Sequence, residues 1–284
     1  MSGLKRKNTT FNESTFRNNQ TFLLYYNRLA ELAMSMFEWK NLPDTVDERF
    51  LELTLFTDGQ IIFFNDDVMG YLALQVATGG DFNVYRIPQN RRAYAANGYN
   101  MNLNGDDSVI IYNNFMRTPS LPTIEMFANR LYKLDRTIDI NTNAQKTPIL
   151  IKCDDNERLT LENLYLKYDG NQPVIMGSRG LSTDSISVLK TDAPYISDKL
   201  YTLKTEIWNE ALTYLGIENI TTEKKERLLT DEITSYHGGT VACRYSRLES
   251  RRQACRQINK MFGLNIWCDY RAEYKNIVGG GGNE

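Results

Sequence analysis

Residues 190–216 read KTDAPYISDKLYTLKTEIWNEALTYLG. Pro194 disfavours a helical residue before it. Ser197 is a residue type that caps helix starts. Leu200, Leu203, Ile207, Ala211 and Tyr214 then recur at intervals of three and four, the period of a helix with one apolar face. Gly216 stands where a left-handed C-terminal cap belongs. The spacing predicts a helix over 197–215, with Lys199 on its polar side. A helix with one apolar stripe needs another element to cover it.

Two further long helices are predicted upstream. Residues 16–37 place Phe22, Tyr25, Tyr26, Leu29, Ala33 and Met36 on one face, and Asn41-Leu42-Pro43 ends the run. Pro122 suits a first helical turn, and Ile124, Phe127, Leu131, Leu134 and Ile138 form a seam after it. A short helix is expected at 47–56, and strands at 60–64 and 108–112. Residues 79–107, rich in Gly, Asn and Tyr, read as an irregular, partly β excursion. Short strands are expected at 148–153, 173–176 and 186–189, with a helix at 160–168 between them. Residues 221–240 read as a polar loop, 246–262 as a last helix and 264–270 as a final strand. The fold class is α+β, mainly α. The chain divides into a flexible basic arm (1–15), two long helices with an insertion (16–147), a β-rich element (148–196), a helical and strand segment (197–274) and a flexible tail (275–284).

The 284 residues are 42% hydrophobic and 24% charged, with a net charge of −2. That composition supports a core. It gives no global positive field, which a chain that grips nucleic acid alone would need. Cys153, Cys243, Cys255 and Cys268 are dispersed and His237 is the only histidine, so neither zinc-ligand spacing nor a histidine-based nucleophilic site is expected. His237 reads as an exposed loop residue. No G-x-x-x-x-G-K-[ST] run is present, and Gly177-Ser178-Arg179-Gly180 reads as a plain turn. The pairs Asp66-Asp67, Asp106-Asp107 and Asp154-Asp155 read as turn and cap residues. No cofactor is expected. The polar, basic start of the chain argues against a secretory signal. No segment approaches the roughly 18 apolar residues of a membrane span.

Local basic elements remain: Lys5, Arg6 and Lys7; Lys224 and Lys225; and Arg244, Arg247, Arg251, Arg252, Arg256 and Lys260 in the last helix. Taken singly, such residues are ordinarily a solvated face. Repeated around an axis, the Lys224-Lys225 loop would become a positive band.

Several runs carry a resemblance. Lys190-Thr191-Asp192-Ala193-Pro194-Tyr195, Asp198-Lys199-Leu200, Trp208-Asn209-Glu210, Leu215-Gly216-Ile217 and Glu223-Lys224-Lys225-Glu226-Arg227 resemble the upper collar, or head–tail connector (portal), proteins of small short-tailed phages with protein-primed DNA replication. So do Phe37-Glu38-Trp39, Asn41-Leu42-Pro43, Ile111-Tyr112-Asn113-Asn114, Asn143-Ala144-Gln145-Lys146-Thr147-Pro148 and Gly263-Leu264-Asn265. The runs follow in order from about residue 20 to 270. The resemblance implies a portal fold with long channel-lining helices and a small SH3-like β element. It implies a non-enzymatic dodecamer at one capsid vertex of the virion, assembled in the host cytoplasm. Double-stranded DNA would pass through its channel in packaging and ejection.

Implied partners are the major capsid and scaffolding proteins, the lower collar or tail protein, the packaging ATPase and, in some members, a packaging RNA. The family's channel lysines fall on Lys190, Lys199, Lys224 and Lys225. Its nucleic-acid-binding arm falls on Lys5, Arg6 and Lys7. Residues 244–252 depart from the family in being more basic, and the tail after Tyr274 is short and glycine-rich. Without the resemblance, a monomeric nucleic-acid-binding protein or a metal-dependent nuclease are the competing readings.

Overall fold

The computed structural model describes residues 3–145, 149–151, 186–188, 194–217 and 230–271. The chain divides into two compact units. The first comprises Met1–Lys133 with Lys204–Glu284, the second Leu134–Leu203. The architecture is α+β, as expected.

The first unit opens on α1 (Gly3–Ser35). Residues 3–15, expected as a flexible arm, continue this helix, because nothing from Leu4 to Ser35 is a proline or glycine that would stop it. Tyr25, Leu29, Ala33 and Met36 are buried, as their spacing predicts. Strand β1 (Phe37–Lys40) follows directly. Helix α2 (Glu48–Asp58) starts at Asp47, whose carboxylate accepts the Arg49 N–H, and ends on Gly59 at φ +79.

Strands β2 (Gln60–Asp66), β3 (Gly70–Phe82), β4 (Pro88–Tyr94), β5 (Asn100–Leu103) and β6 (Ser108–Tyr112) form one antiparallel sheet in the order β5-β4-β3-β2-β6. The excursion expected over 79–107 is thus a regular meander. Asn97 and Gly98 sit at a turn and Gly80 at the register shift between Gly79 and Phe82, whereas Asn90, Asn100 and Asn102 lie on the strands and pair across the sheet. Strand β2 is buried on both faces. Ile62 and Phe64 join Val76, Ala93 and Leu103 in one cluster, while Phe63 stacks on Tyr71 and meets Phe262. A continuous apolar run is the pattern of a strand covered on both sides.

Helix α3 (Leu121–Ala144) follows, with Ile124, Phe127 and Leu131 buried. In the second unit, β7 (Ile149–Ile151) and β8 (Ile186–Val188) pair antiparallel. The strand expected at 173–176 and the helix at 160–168 lie outside the described residues.

Helix α4 (Ser197–Leu215) has the bounds the sequence predicts. Its buried stripe is Ile207, Ala211 and Leu215, whereas Leu203 is exposed. The last helix, α5, runs Thr230–Phe262, 16 residues longer at its start than the sequence reading. No proline interrupts 230–262, and each glycine of the Gly238-Gly239 pair costs a helix only about 1 kcal/mol. His237 therefore lies in a helix and not in a loop.

Strand β9 (Trp267–Tyr270) pairs with β1, in the register Phe37↔Tyr270 to Lys40↔Trp267. The Phe37 and Tyr270 rings meet edge to face at 5.7 Å. This pairing takes Phe37 out of the helix expected to end there.

At Gly59 the chain needs glycine for two reasons. Its φ is left-handed, and a Cβ would come within 2.6 Å of Pro119 N. Gly98 has φ +89 but open space around it. Gly59→Ala is expected to cost about 2–4 kcal/mol by adding a clash to a left-handed penalty of about 1–2 kcal/mol. Gly98→Ala should cost that penalty alone. Denaturant midpoints of the two variants check this; equal losses would contradict the packing argument.

Candidate functional site

Seven basic residues are expected to handle nucleic acid. Lys199 is exposed on the first turn of α4. Lys5, Arg6 and Lys7 fall within α1, but their side chains lie outside the described residues, as do Lys190, Lys224 and Lys225. The described structure brings none of the seven together.

What positions Lys199 is visible within the second unit. Asn141, near the end of α3, donates from Nδ2 to the Pro194 carbonyl at 2.9 Å. Its Oδ1 accepts the Ile196 N–H at 3.0 Å and the Ser197 hydroxyl at 2.9 Å. One amide thus satisfies polar groups at the start of α4, which a helix start otherwise leaves open. Two turns of sequence, 141–142 and 194–197, are fixed together, and Lys199 follows on the pinned segment.

The expected carboxylate pairs behave as turn residues where they are described. Asp66 Oδ1 accepts the N–H groups of Val68 and Met69, and its Oδ2 accepts the Tyr99 hydroxyl at 2.6 Å. The Tyr99 hydrogen bond, with those backbone donors, holds Asp66 below the usual carboxylate range. Asp107 accepts the Asn104 N–H. Asp154 and Asp155 lie outside the described residues. Among the described residues no three His, Cys, Asp or Glu side chains cluster as metal ligands would.

The basic run of α5 departs most from its expected role. Arg251 is 1% exposed and Glu52 3%. They form a bidentate pair, with Nε to Oε1 at 2.8 Å and Nη2 to Oε2 at 2.7 Å, the strongest geometry available to an arginine and a carboxylate. Trp39 Nε1 also donates to Glu52 Oε1 at 2.8 Å. Arg251 Nη1 donates to the Asn113 carbonyl at 3.0 Å, and the guanidinium lies 4.0 Å from the centre of the Phe37 ring. Burial works against the Arg251 charge, but the Glu52 carboxylate outweighs it and pushes the pKa up.

Neighbouring arginines are used in the same way. Arg247, also buried, donates to Ser120 Oγ at 3.0 Å and stacks on Tyr214. Burial pulls its pKa down. Arg244 donates to the Gly216 carbonyl and lies 4.4 Å over the Tyr270 ring. Arg252 pairs with Asp269 at 2.9 Å, and Arg256 pairs with Glu249. The reading of this run as a solvated face is therefore corrected at Arg244, Arg247 and Arg251, while Arg256 and Lys260 are exposed as expected. Residues 244, 247 and 251 recur on one helix face, and Glu52 stands alone among Leu51, Leu53 and Leu55. A carboxylate inside an apolar run is the signal that a buried cation answers it.

The thiols beside this network are free and buried at Cys255 and Cys268. Burial pushes Cys255 up to about 12 and raises Cys268 as well. A protonated thiol is a poor nucleophile and metal ligand.

A sequence model of the family Phage Connector (GP10) matches residues 7–275. Three solved structures are also similar. The first is a chain from the portal and tail of native bacteriophage P68, with 16% identity, 95% of this chain and 94% of that chain covered, and a TM-score of 0.49. The second is an HK97 family phage portal protein from Corynebacterium diphtheriae, at 9%, 91%, 94% and 0.44. The third is a chain from the virion of a native gene transfer agent particle, at 10%, 88%, 80% and 0.43. Family membership rests on the sequence match and not on these structural likenesses.

Removing one partner of a buried ion pair leaves the other charge uncompensated, which costs about 3–5 kcal/mol. Arg251→Met is expected to lose that much in urea unfolding. Combining it with Glu52→Gln, which keeps an acceptor for Trp39, should recover at least about 1 kcal/mol of the loss. Strictly additive losses would contradict the pairing.

Proposed function

The chain belongs to the phage connector family, the head–tail connectors of phages, and from that premise we propose how it works. Dodecameric rings sit at one capsid vertex of the virion. Double-stranded DNA passes through the central channel during packaging and ejection. The observation that carries this reading is the family match over residues 7–275. The ring carries out no chemistry; the energy for packaging comes from a separate ATPase. The ring also contacts the capsid and scaffolding proteins on one side and the lower collar or tail protein on the other.

Charge supports this division of labour. The chain carries 33 Lys and Arg against 35 Asp and Glu, so a single subunit has little field of its own. In the last helix, Arg244, Arg247 and Arg251 are committed to the fold. We assign the DNA contacts, as the family resemblance implies, to Lys190, Lys199, Lys224 and Lys225, of which Lys199 is exposed in the described structure. Repetition around the ring axis would turn four lysines per subunit into bands of positive potential. Lysine suits the task. Its compact ammonium meets phosphates without fixed geometry, and phosphate contacts carry no sequence information. DNA could then slide past without being read. Lys5, Arg6 and Lys7 would serve a separate nucleic-acid contact, a packaging RNA in members that use one.

Particles assembled from a Lys199→Ala, Lys224→Ala, Lys225→Ala connector test the channel assignment. Ring assembly should be unchanged, because none of these side chains is expected in the subunit core. Retention of the packaged genome should fall. Wild-type retention and ejection in those particles would remove the three lysines from the channel.

A further inference from the structure

A cavity of about 170 Å³ lies in the first unit between the sheet and α5. Arg91 of β4, Tyr112 of β6, Arg117 of the following loop, and Gln253 and Gln257 of α5 line it. Asn114 and Ser250 complete its polar wall, and no carboxylate contributes to it. We propose that this cavity binds a compact oxyanion with the chemistry of a phosphate group.

Three observations carry the assignment. First, Arg91 is 7% exposed and has no carboxylate in ion-pair contact. Its Nε donates to the Pro88 carbonyl, and its Nη1 to the Ser108 carbonyl and hydroxyl. These are neutral acceptors. Arg251, more deeply buried, has Glu52 in contact. Asp107 and Asp106 act on Arg91 through the electrostatic field and not by contact, and burial still outweighs them; an anion in direct contact would offset that remaining cost.

Second, the Tyr112 hydroxyl is buried and has no hydrogen-bond partner among the described residues. A buried hydroxyl is ordinarily satisfied. Burial pushes this phenol up, with Arg117 and Arg91 pulling the other way, so it remains a proton donor. The side chains of Gln253 and Gln257 are exposed and their amides are uncommitted within the described residues.

Third, Arg117 is held in place at a conformational cost. Arg117 has φ +58 and Arg86 has φ +59, a region that L residues rarely adopt and that functional sites often keep. The two turns are joined, because Arg117 Nη1 donates to the Arg86 carbonyl at 3.1 Å. The guanidinium is thereby set 4.5 Å over the Tyr112 ring, with further N–H groups available to a ligand. Two guanidiniums, a phenol and two amides, each able to donate, border a space of about 170 Å³. A tetrahedral oxyanion suits both the donor set and the volume. It could come from free phosphate or from a phosphodiester of a nucleic acid.

All the lining residues come from one chain, so the full-length protein is titrated, with its assembly state held the same in every arm. Inorganic phosphate is compared with chloride at matched ionic strength, and a short single-stranded oligodeoxynucleotide forms a second arm. Both arms are repeated on Tyr112→Phe and Arg117→Gln, with circular dichroism as the folding control. Phosphate is expected to raise the melting temperature beyond chloride, and each variant to weaken binding about tenfold, the worth of one hydrogen bond to a charged group. Variant-sensitive binding of the oligonucleotide alone would support the same site with a phosphodiester as its source. Absence of binding in both arms, or binding unchanged in both folded variants, would overturn the proposal.

Discussion

Arg251 and Glu52 lie 199 residues apart and meet at 2.7 Å in the core of the first unit. Both charges are almost fully withdrawn from water, which is tolerable only if geometry and supporting hydrogen bonds are close to complete. Trp39 completes the coordination of Glu52, while Asn113 and the Phe37 ring complete that of Arg251. That requirement fixes α2, β1, the 113–120 loop and α5 with respect to one another. Asn113 in turn donates to Ser120, which accepts from Arg247. The constraint thus passes along one helix, arginine by arginine, to Tyr214 of α4 and to Gly216 just beyond it.

This use of arginine separates two kinds of positive charge. The planar fork of a guanidinium can pair bidentately and stack on rings, so it is suited to buried junctions. Arg244, Arg247 and Arg251 of α5 are used in that way, whereas Arg252 and Arg256 make single, partly exposed ion pairs. The residues proposed to meet DNA in the channel are all lysines. A near-neutral subunit can therefore carry a high arginine content without a DNA-binding surface of its own, and acquire one only by repetition.

The elements most legible in the sequence are those defined locally. Helix α4 has its proline before it, its glycine after it and a clear stripe between, and its bounds coincide with the prediction. Strands β2 and β6, written as runs of Ile, Phe and Val, were also legible. What could not be read depends on distant partners. Phe37-Glu38-Trp39-Lys40 is a strand because residues 267–270 pair with it, and nothing near Phe37 announces that. The meander over 70–103 was masked by its glycines and asparagines, which stand both at turns and on the strands. Of the seven candidate basic residues, Lys5, Arg6, Lys7, Lys224 and Lys225 stand out as local basic elements, Lys190 and Lys199 come only through family resemblance, and only Lys199 has a described side chain. The buried arginines were misread because charge ordinarily means surface; the lone carboxylate at Glu52 was the contrary signal.

The proposed function requires this subunit to work in a closed ring. The native mass of the purified full-length protein, measured by analytical ultracentrifugation or native mass spectrometry over a range of protein and salt concentrations, tests it most directly. The account predicts one discrete assembly of twelve chains, the stoichiometry the family resemblance implies. A particle of single-chain mass under every condition would contradict it.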